Sequence, residues 1–177
     1  VRHLLVTFRL LRAKIRRLEM GHRANFVVIR QGRAEAFEDQ WAALGCVHMI
    51  ADGPEPAVEC IKDFDASEEL HDWAFAEGGY LVDFDEKLLI VFGSVDDEAD
   101  EFAELEDQED LTDEELEEKG REITRNQFKE LFEASAMNWK GWTLRWDDRG
   151  VDAFAEHLNR RTISSIKTQA FSHPETC

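Results

Sequence analysis

The sequence predicts an α+β fold: a mainly antiparallel sheet of about five strands, built from two hairpins plus a C-terminal strand and packed with helices. Three observations carry this expectation. Two pairs of β-rich arms flank short turn sequences, within 25–39 and 80–92. Apolar residues at helical spacing follow each hairpin. Trp142, Leu144 and Trp146 alternate with polar residues, as one face of a strand does. At 177 residues and 43% hydrophobic, the chain suits one domain with a real core.

The elements follow in order. Asn25-Phe-Val-Val-Ile-Arg30 is apolar on both faces, which predicts an interior strand. Gln31-Gly32 offers a positive-φ turn, and Arg33–Asp39 returns as a weaker strand. Trp41–Leu44 leads to a break at Gly45. Asp52-Gly53-Pro54-Glu55-Pro56 reads as a helix entrance with Asp52 as the cap, and Ala57, Val58, Cys60, Ile61 and Phe64 form its apolar stripe. Ser67 is expected to open a further helix through Leu70 and Trp73, ending near Gly78-Gly79. The hairpin Tyr80–Phe84, turn Asp85-Glu86, Lys87–Phe92 is the clearest element, and its apolar second arm should be central. An acidic insertion spans 94–120. It contains a Thr112…Glu115 capping box, but also like-charge pairs such as Asp96/Asp100 and Asp97/Glu101, each costing a few tenths of a kcal/mol. It is expected to be helical only in pieces. Thr124…Gln127 signals a new helix carrying Phe128, Leu131, Phe132 and Met137. The Trp142–Trp146 strand and a short helix with Val151, Phe154, Ala155 and Leu158 complete a domain over 20–160, with 161–177 as a flexible tail.

Charge is strongly segregated. The chain carries a net charge of -18. Residues 1–19 hold six bases (Arg2, Arg9, Arg12, Lys14, Arg16, Arg17) against Glu19, whereas 96–118 holds fifteen acids and no base. Such a surface repels nucleic acid and anionic membrane and favours a basic protein partner. A basic partner would meet Asp96, Asp97, Asp100, Glu101, Glu104 and Asp107 first. Fifteen charges over about 35 Å of helix approach the density of duplex DNA, but a mimic needs a fixed pattern that a frayed segment lacks. Residues 1–19 read as translation upstream of a start at Met20, as a basic amphipathic arm with Leu4, Leu5, Phe8, Leu11, Ile15 and Leu18 at helical spacing, or as an organelle transit peptide, whose Arg-rich, acid-poor look they share although they lack Ser. Three cysteines (Cys46, Cys60, Cys177) in no metal spacing, with no secretory signal, point to a reducing cytoplasm. No window approaches the apolar length of a membrane span.

Chemical signals are sparse. His22 before a buried strand offers a general base, with Arg23 and Asn25 as anion-binding neighbours; Glu77 or Asp83 would have to converge with it near Trp41. Against this, Asn25 also suits a strand entrance and His22 a solvated terminus. His48 and His71 lie in different elements and make no HxH or HxxxH spacing, so no metal is expected. Asp83, Asp85 and Glu86 cluster at the hairpin tip, where turns choose Asp for backbone reasons. Cys46 suits burial better than reactivity. No dinucleotide, phosphate-loop or nucleophile-elbow motif occurs, so no cofactor is expected.

Met20-Gly-His-Arg-Ala-Asn-Phe26, Trp41-Ala42, the Gly53-Pro54-Glu55 turn and Glu77-Gly78-Gly79…Asp83…Phe92-Gly93 resemble an uncharacterised bacterial family that opens Met-Gly-His-Arg-Ala-Asn. The resemblance covers about 20–93 and the Trp142–Trp146 strand, supports a start at Met20, and implies no established activity or site residue. Three readings follow from the sequence. The first is a cytoplasmic, acidic binding or regulatory protein for a basic partner, such as an inhibitor or immunity protein. The second is a small-molecule enzyme centred on His22, Arg23 and Asn25. The third is a purely structural role, including a homodimer.

Overall fold

The computed structural model describes residues 22–70, 76–95 and 112–167, without the side chains of 113, 116 and 117. Strands β1 (Ala24–Arg30) and β2 (Arg33–Asp39) form the first hairpin. Its two-residue turn holds Gln31 at φ 53° and Gly32 at φ 71°, the paired positive values that match the twist of the flanking strands. Strand β3 (Asp65–Ser67) is short and polar. Strands β4 (Gly78–Asp83) and β5 (Leu88–Phe92) make the second hairpin, and β6 (Thr143–Trp146) is the last strand.

The sheet has six strands in the order β3-β2-β1-β4-β5-β6. The hairpins join through a parallel β1–β4 ladder that sets Phe26 beside Tyr80 and Ile29 beside Asp83, and β6 runs parallel to β5. Three of the five ladders are antiparallel, as expected, but the sheet is mixed, with two parallel ladders, and has six strands instead of about five. Parallel partners lie far apart in the chain and share no turn, so local sequence carries no sign of them. Asp-Ala-Ser in β3 is likewise too short and polar to show alternation.

Helices cover both faces, which is why β4 is buried throughout and β1 at every position except Arg30. Helix α1 (Cys46–Met49, after a 3₁₀ turn at Ala43–Gly45), α2 (Pro54–Ile61) and α3 (Asp113–Ser135, followed by a 3₁₀ turn at Ala136–Asn138) lie on one face. There Phe26, Val28, Tyr80, Leu89 and Val91 pack with Cys46, Ile50, Ile61, Phe128 and Trp139. Burying such side chains contributes roughly 1.5–3 kcal/mol each. Tyr80 donates to the Ala57 carbonyl at 2.6 Å, and Trp139 Nε1 to the Ile50 carbonyl at 2.7 Å, so neither polar tip is buried unpaired. Helix α4 (Val151–Arg160) covers the other face, where Val27, Ile29, Leu81, Ile90 and Phe92 meet Phe154, Leu158, Ile163 and Ile166.

Several local expectations change. Gly53, at φ 104°, is the N-cap of α2, and Asp52 makes no side-chain cap. A Cβ at Gly53 would lie 2.8 Å from the Asn138 carbonyl, so close chain approach sets the residue there. Ser67 ends β3, its hydroxyl engaging the Glu69 backbone in a turn instead of opening a helix. Helix α3 starts at the expected Thr112–Glu115 capping box and runs without interruption. Thr124 is interior to it: its hydroxyl donates back to the Gly120 and Arg121 carbonyls at 3.2 and 3.1 Å. Residues 161–167, placed in the tail by sequence, pack against the sheet, with Ile163 and Ile166 buried and Ser165 bonded to the Ala34 carbonyl. The basic segment 1–19, His71, Trp73 and the acids Asp96, Asp97, Asp100, Glu101, Glu104 and Asp107 lie outside the described residues.

Candidate functional site

The parallel β1–β4 ladder aligns the starts of both strands, and this brings His22 beside Glu77. His22 Nδ1 lies 2.6 Å from Glu77 Oε2. A carboxylate only accepts, so Nδ1 carries the hydrogen, and it is in the neutral ring that Nε2 offers a lone pair. The backbone locks the pair: Glu77 N–H donates to the Arg23 carbonyl at 2.8 Å, and Ala43 N–H to the His22 carbonyl at 2.9 Å. His22 is 13% exposed and Glu77 48%. Such an imidazole can take a proton from a small molecule. Arg23 follows His22 at the rim, but Asn25 is only 1% exposed and belongs to the strand interior. Asp83 does not join them. It ends β4, six residues and about 20 Å of strand from Glu77.

Asp83 instead builds a buried ion-pair network at the far end of the sheet. Its Oδ1 accepts from the Asp85 and Glu86 N–H groups at 2.9 and 3.0 Å, as a turn aspartate does. Its Oδ2 lies 2.8 Å from His157 Nε2 and 3.3 Å from Arg161 Nη1, and the Asp83 and His157 side chains are 0% and 2% exposed. Arg160 Nη2 sits 3.1 Å from His157 Nδ1, which must accept, so the Nε2–H faces Asp83. Arg161 also reaches Asp85 at 2.8 Å and Glu86 at 3.0 Å, while Arg160 pairs with Glu86. Asp85 in turn accepts from the Gln31 and Gly32 N–H groups at 2.7 and 2.8 Å, tying both hairpin turns to α4. The Arg160 hydrogen bond, with help from Arg161, holds the Glu86 carboxyl down to about 2. The Gly32 and then Gln31 N–H groups hold Asp85 below its ordinary value. Ligand atoms of Asp83, Glu86 and His157 lie within 4.8 Å of one another, the spacing a cation would use. Two guanidinium groups already occupy those oxygens, so the cluster acts as a structural clamp.

A third feature is an open groove of about 730 Å³ between the Ala43–Gly45 turn, α1 and α3. Leu44, Val95, Leu131 and Ala134 supply apolar wall, and His48, Gln127 and Glu130 the polar rim. Leu131 is 37% exposed although large and apolar. Glu130 forms no ion pair among the described residues, whereas Lys129 and Glu133 pair along the helix at 3.8 Å. The chain enters the acidic tract immediately after Val95, one of the lining residues.

Cys46 is fully buried, and burial pushes its thiol far up, out of reactive range. Among the described residues, no helix is long and apolar enough to cross a membrane. No family model, curated protein or solved structure matches the chain. The sequence analysis singles out none of His157, Arg160, Arg161 and Leu131 as a site residue. The one available signal was Leu131, which continues the α3 apolar stripe one position beyond what Phe128 and Phe132 need for the core.

Proposed function

We propose that this chain is an acidic binding or regulatory protein that takes a basic, amphipathic segment of a partner protein into the α1–α3 groove. The groove itself carries this reading: an apolar floor edged by Glu130, which forms no ion pair among the described residues, with the acidic tract following Val95 in sequence. Helix-in-groove recognition uses this combination, apolar anchors for affinity and surrounding charge for steering and orientation. Asp96, Asp97, Asp100, Glu101, Glu104 and Asp107 then act as the tract that draws the partner in, not as the contact that holds it. The test is titration of a 15-residue Leu/Lys amphipathic peptide into the full chain, wild type and Leu131→Asp. Binding that weakens at least about tenfold in the variant, and falls again as salt rises to about 0.5 M, supports the proposal. Equal binding to both proteins, or none at millimolar peptide, overturns it.

A second reading keeps the small-molecule enzyme alive, because His22 and Glu77 form an oriented base pair at 2.6 Å. Its reach is narrower, since Asn25 is buried and Asp83 is committed elsewhere. A small-molecule library that shifts His22 ring resonances in the wild type, but not in Glu77→Gln, would favour it.

A further inference from the structure

We infer that a second copy of this chain adds to the open edge of β6, so that two six-stranded sheets join as one across a two-fold axis, an inference independent of the groove reading above. The position of β6 carries it. β6 is the last strand of the sheet and pairs with β5 alone. The Thr143 and Asp147 N–H groups donate to the Lys87 and Val91 carbonyls at 2.8 and 3.0 Å. Backbone groups alternate sides along a strand, so those of Thr143, Arg145 and Asp147 face β5 and those of Leu144 and Trp146 face outward. Among the described residues, no backbone group meets the outward N–H and C=O of Leu144 and Trp146. Such an edge is a template for another strand.

Two side-chain donors on the same strand, Arg145 Nε and Trp146 Nε1, are buried without a hydrogen-bond partner among the described residues. Buried donors are normally paired, so hydrogen-bonding capacity is left over on this strand. The opposite edge differs. There β3 spans three residues, and the chain just past it is already paired: Leu70 N–H donates to the Lys167 carbonyl at 3.2 Å, and Lys167 N–H to the Glu68 carbonyl at 2.8 Å.

Charge selects a copy of the chain as the added strand. The net charge is -18, yet residues 142–150 are neutral, with Arg145 and Arg149 against Asp147 and Asp148. A self-complementary contact needs such balance, because each patch meets itself. The outward groups fix the register. Antiparallel pairing about an axis at Arg145 sets Leu144 opposite Trp146 of the second copy, and Trp146 opposite its Leu144, so every outward N–H finds an outward carbonyl. On the α1–α3 face this places an aliphatic side chain beside an aromatic one on each side of the axis. On the other face Arg145 meets Arg145 of the second copy. Asp147 lies 3.4 Å from Arg145 Nε in the same chain, and each guanidinium reaches Asp147 of the second copy on the diagonal, so two bases and two acids form a neutral group. An axis at Trp146 would pair Arg145 with Asp147 directly, but would set Leu144 against Asp148, which has already entered a turn.

The experiment is sedimentation of the full chain from about 5 to 500 µM, in low salt and in about 0.5 M salt, for wild type, Leu144→Pro and the groove variant Leu131→Asp. Leu144→Pro removes an outward N–H and spares the β5 ladder, a position where strands tolerate proline. The joined edge predicts a wild-type dimer that Leu144→Pro weakens at least about tenfold and Leu131→Asp leaves unchanged. Salt should tighten the dimer, because two copies of charge -18 repel, whereas it should weaken a basic peptide in the groove. Register is read by cross-linking under oxidised glutathione in a Cys60→Ser/Cys177→Ser background. Directly opposed residues of a non-hydrogen-bonded pair lie about 4.5 Å apart at Cα, within disulfide reach, so Arg145→Cys should cross-link. Thr143→Cys, about 13 Å from its counterpart in this register, should not. A monomer at every concentration and salt, with no cross-link at Arg145→Cys, overturns the inference. A dimer that cross-links at Thr143→Cys in place of Arg145→Cys overturns it too. Should Leu144→Pro fail to fold, the Arg145→Cys cross-link decides alone. Loss of peptide binding with the dimer intact removes the groove reading and leaves this one standing.

Discussion

Replacing Asp83 by alanine tests how much the buried clamp holds the two hairpins and α4 together. Each lost contact can be counted. Two turn N–H groups, from Asp85 and Glu86, lose their acceptor, at about 1 kcal/mol each. The His157 Nε2–H, in a side chain 2% exposed, is left without a partner and costs about 1–3 kcal/mol. Arg161 keeps Asp85 and Glu86, so its loss adds little. The sum is about 3–5 kcal/mol, in the range found when one member of a buried ion pair is removed. Urea unfolding at pH 7 should show a lowered midpoint with an unchanged slope. The melting temperature should fall by roughly 6–20 °C for a domain of this size. In a double-mutant cycle with His157→Ala, the coupling should be about 1–3 kcal/mol. A loss below about 1 kcal/mol, or no coupling, would mean that water satisfies these groups and that the clamp reasoning is wrong.

Gly79→Ala should be still more damaging, at about 4 kcal/mol or more, because the new Cβ would lie 2.0 Å from the Asn25 carbonyl and force β1 from β4. Gly32→Ala, with open space around its Cβ and only its φ of 71° to strain, should cost about 1 kcal/mol by the same urea assay, and similar losses at both positions would refute the contact argument. Acid should destabilise the fold in a defined window. Glu86, Asp85 and Asp147 are held below their ordinary values, so the unfolded chain binds protons first. Their contribution is complete above about pH 4.5 and erodes as pH falls toward about 2, where folded Glu86 itself titrates. Glu86 is one-third exposed, so solvent screening leaves its share near 1 kcal/mol. Urea midpoints at pH 6, 4 and 3 should fall in that order, and less steeply for Glu86→Gln; a flat series would contradict the assignment.

Local chemistry was legible where local chemistry decided the structure. Gln31-Gly32 announced its turn, the capping box at Thr112 its helix, and the alternating Trp142, Leu144 and Trp146 their shared face. What stayed hidden was set by partners distant in sequence. Nothing in Phe26 names Tyr80 across a parallel ladder, and nothing in Asp52-Gly53 tells that Asn138 will press on the glycine and make it the cap. Thr124 carries a capping signature that an uninterrupted helix overrides by bonding it backward. The site was split in the same way. The His22–Glu77 pair could be conceived from sequence because both flank strand starts. The clamp could not, because Asp83 and Glu86 look like turn residues and His157, Arg160 and Arg161 look like the last turn of a helix. The groove needed the placement of α3 against the Ala43–Gly45 turn, which no periodicity encodes.

The division of the two cores along the chain has a consequence for synthesis. One face of β1, β4 and β5 is complete in sequence by Phe92, but its cover, from Val151 to Ile166, follows roughly 60 residues later, about 3–12 s at ribosomal speed. For that interval Val27, Ile29, Leu81 and Ile90 have only Ala34, Ala36, Leu70 and Ala76 of their cluster to pack on. The nascent chain therefore offers chaperones a largely uncovered apolar sheet face, and the stretch emerging in the meantime is the most highly charged in the protein, fifteen acids that repel other nascent chains while the face waits.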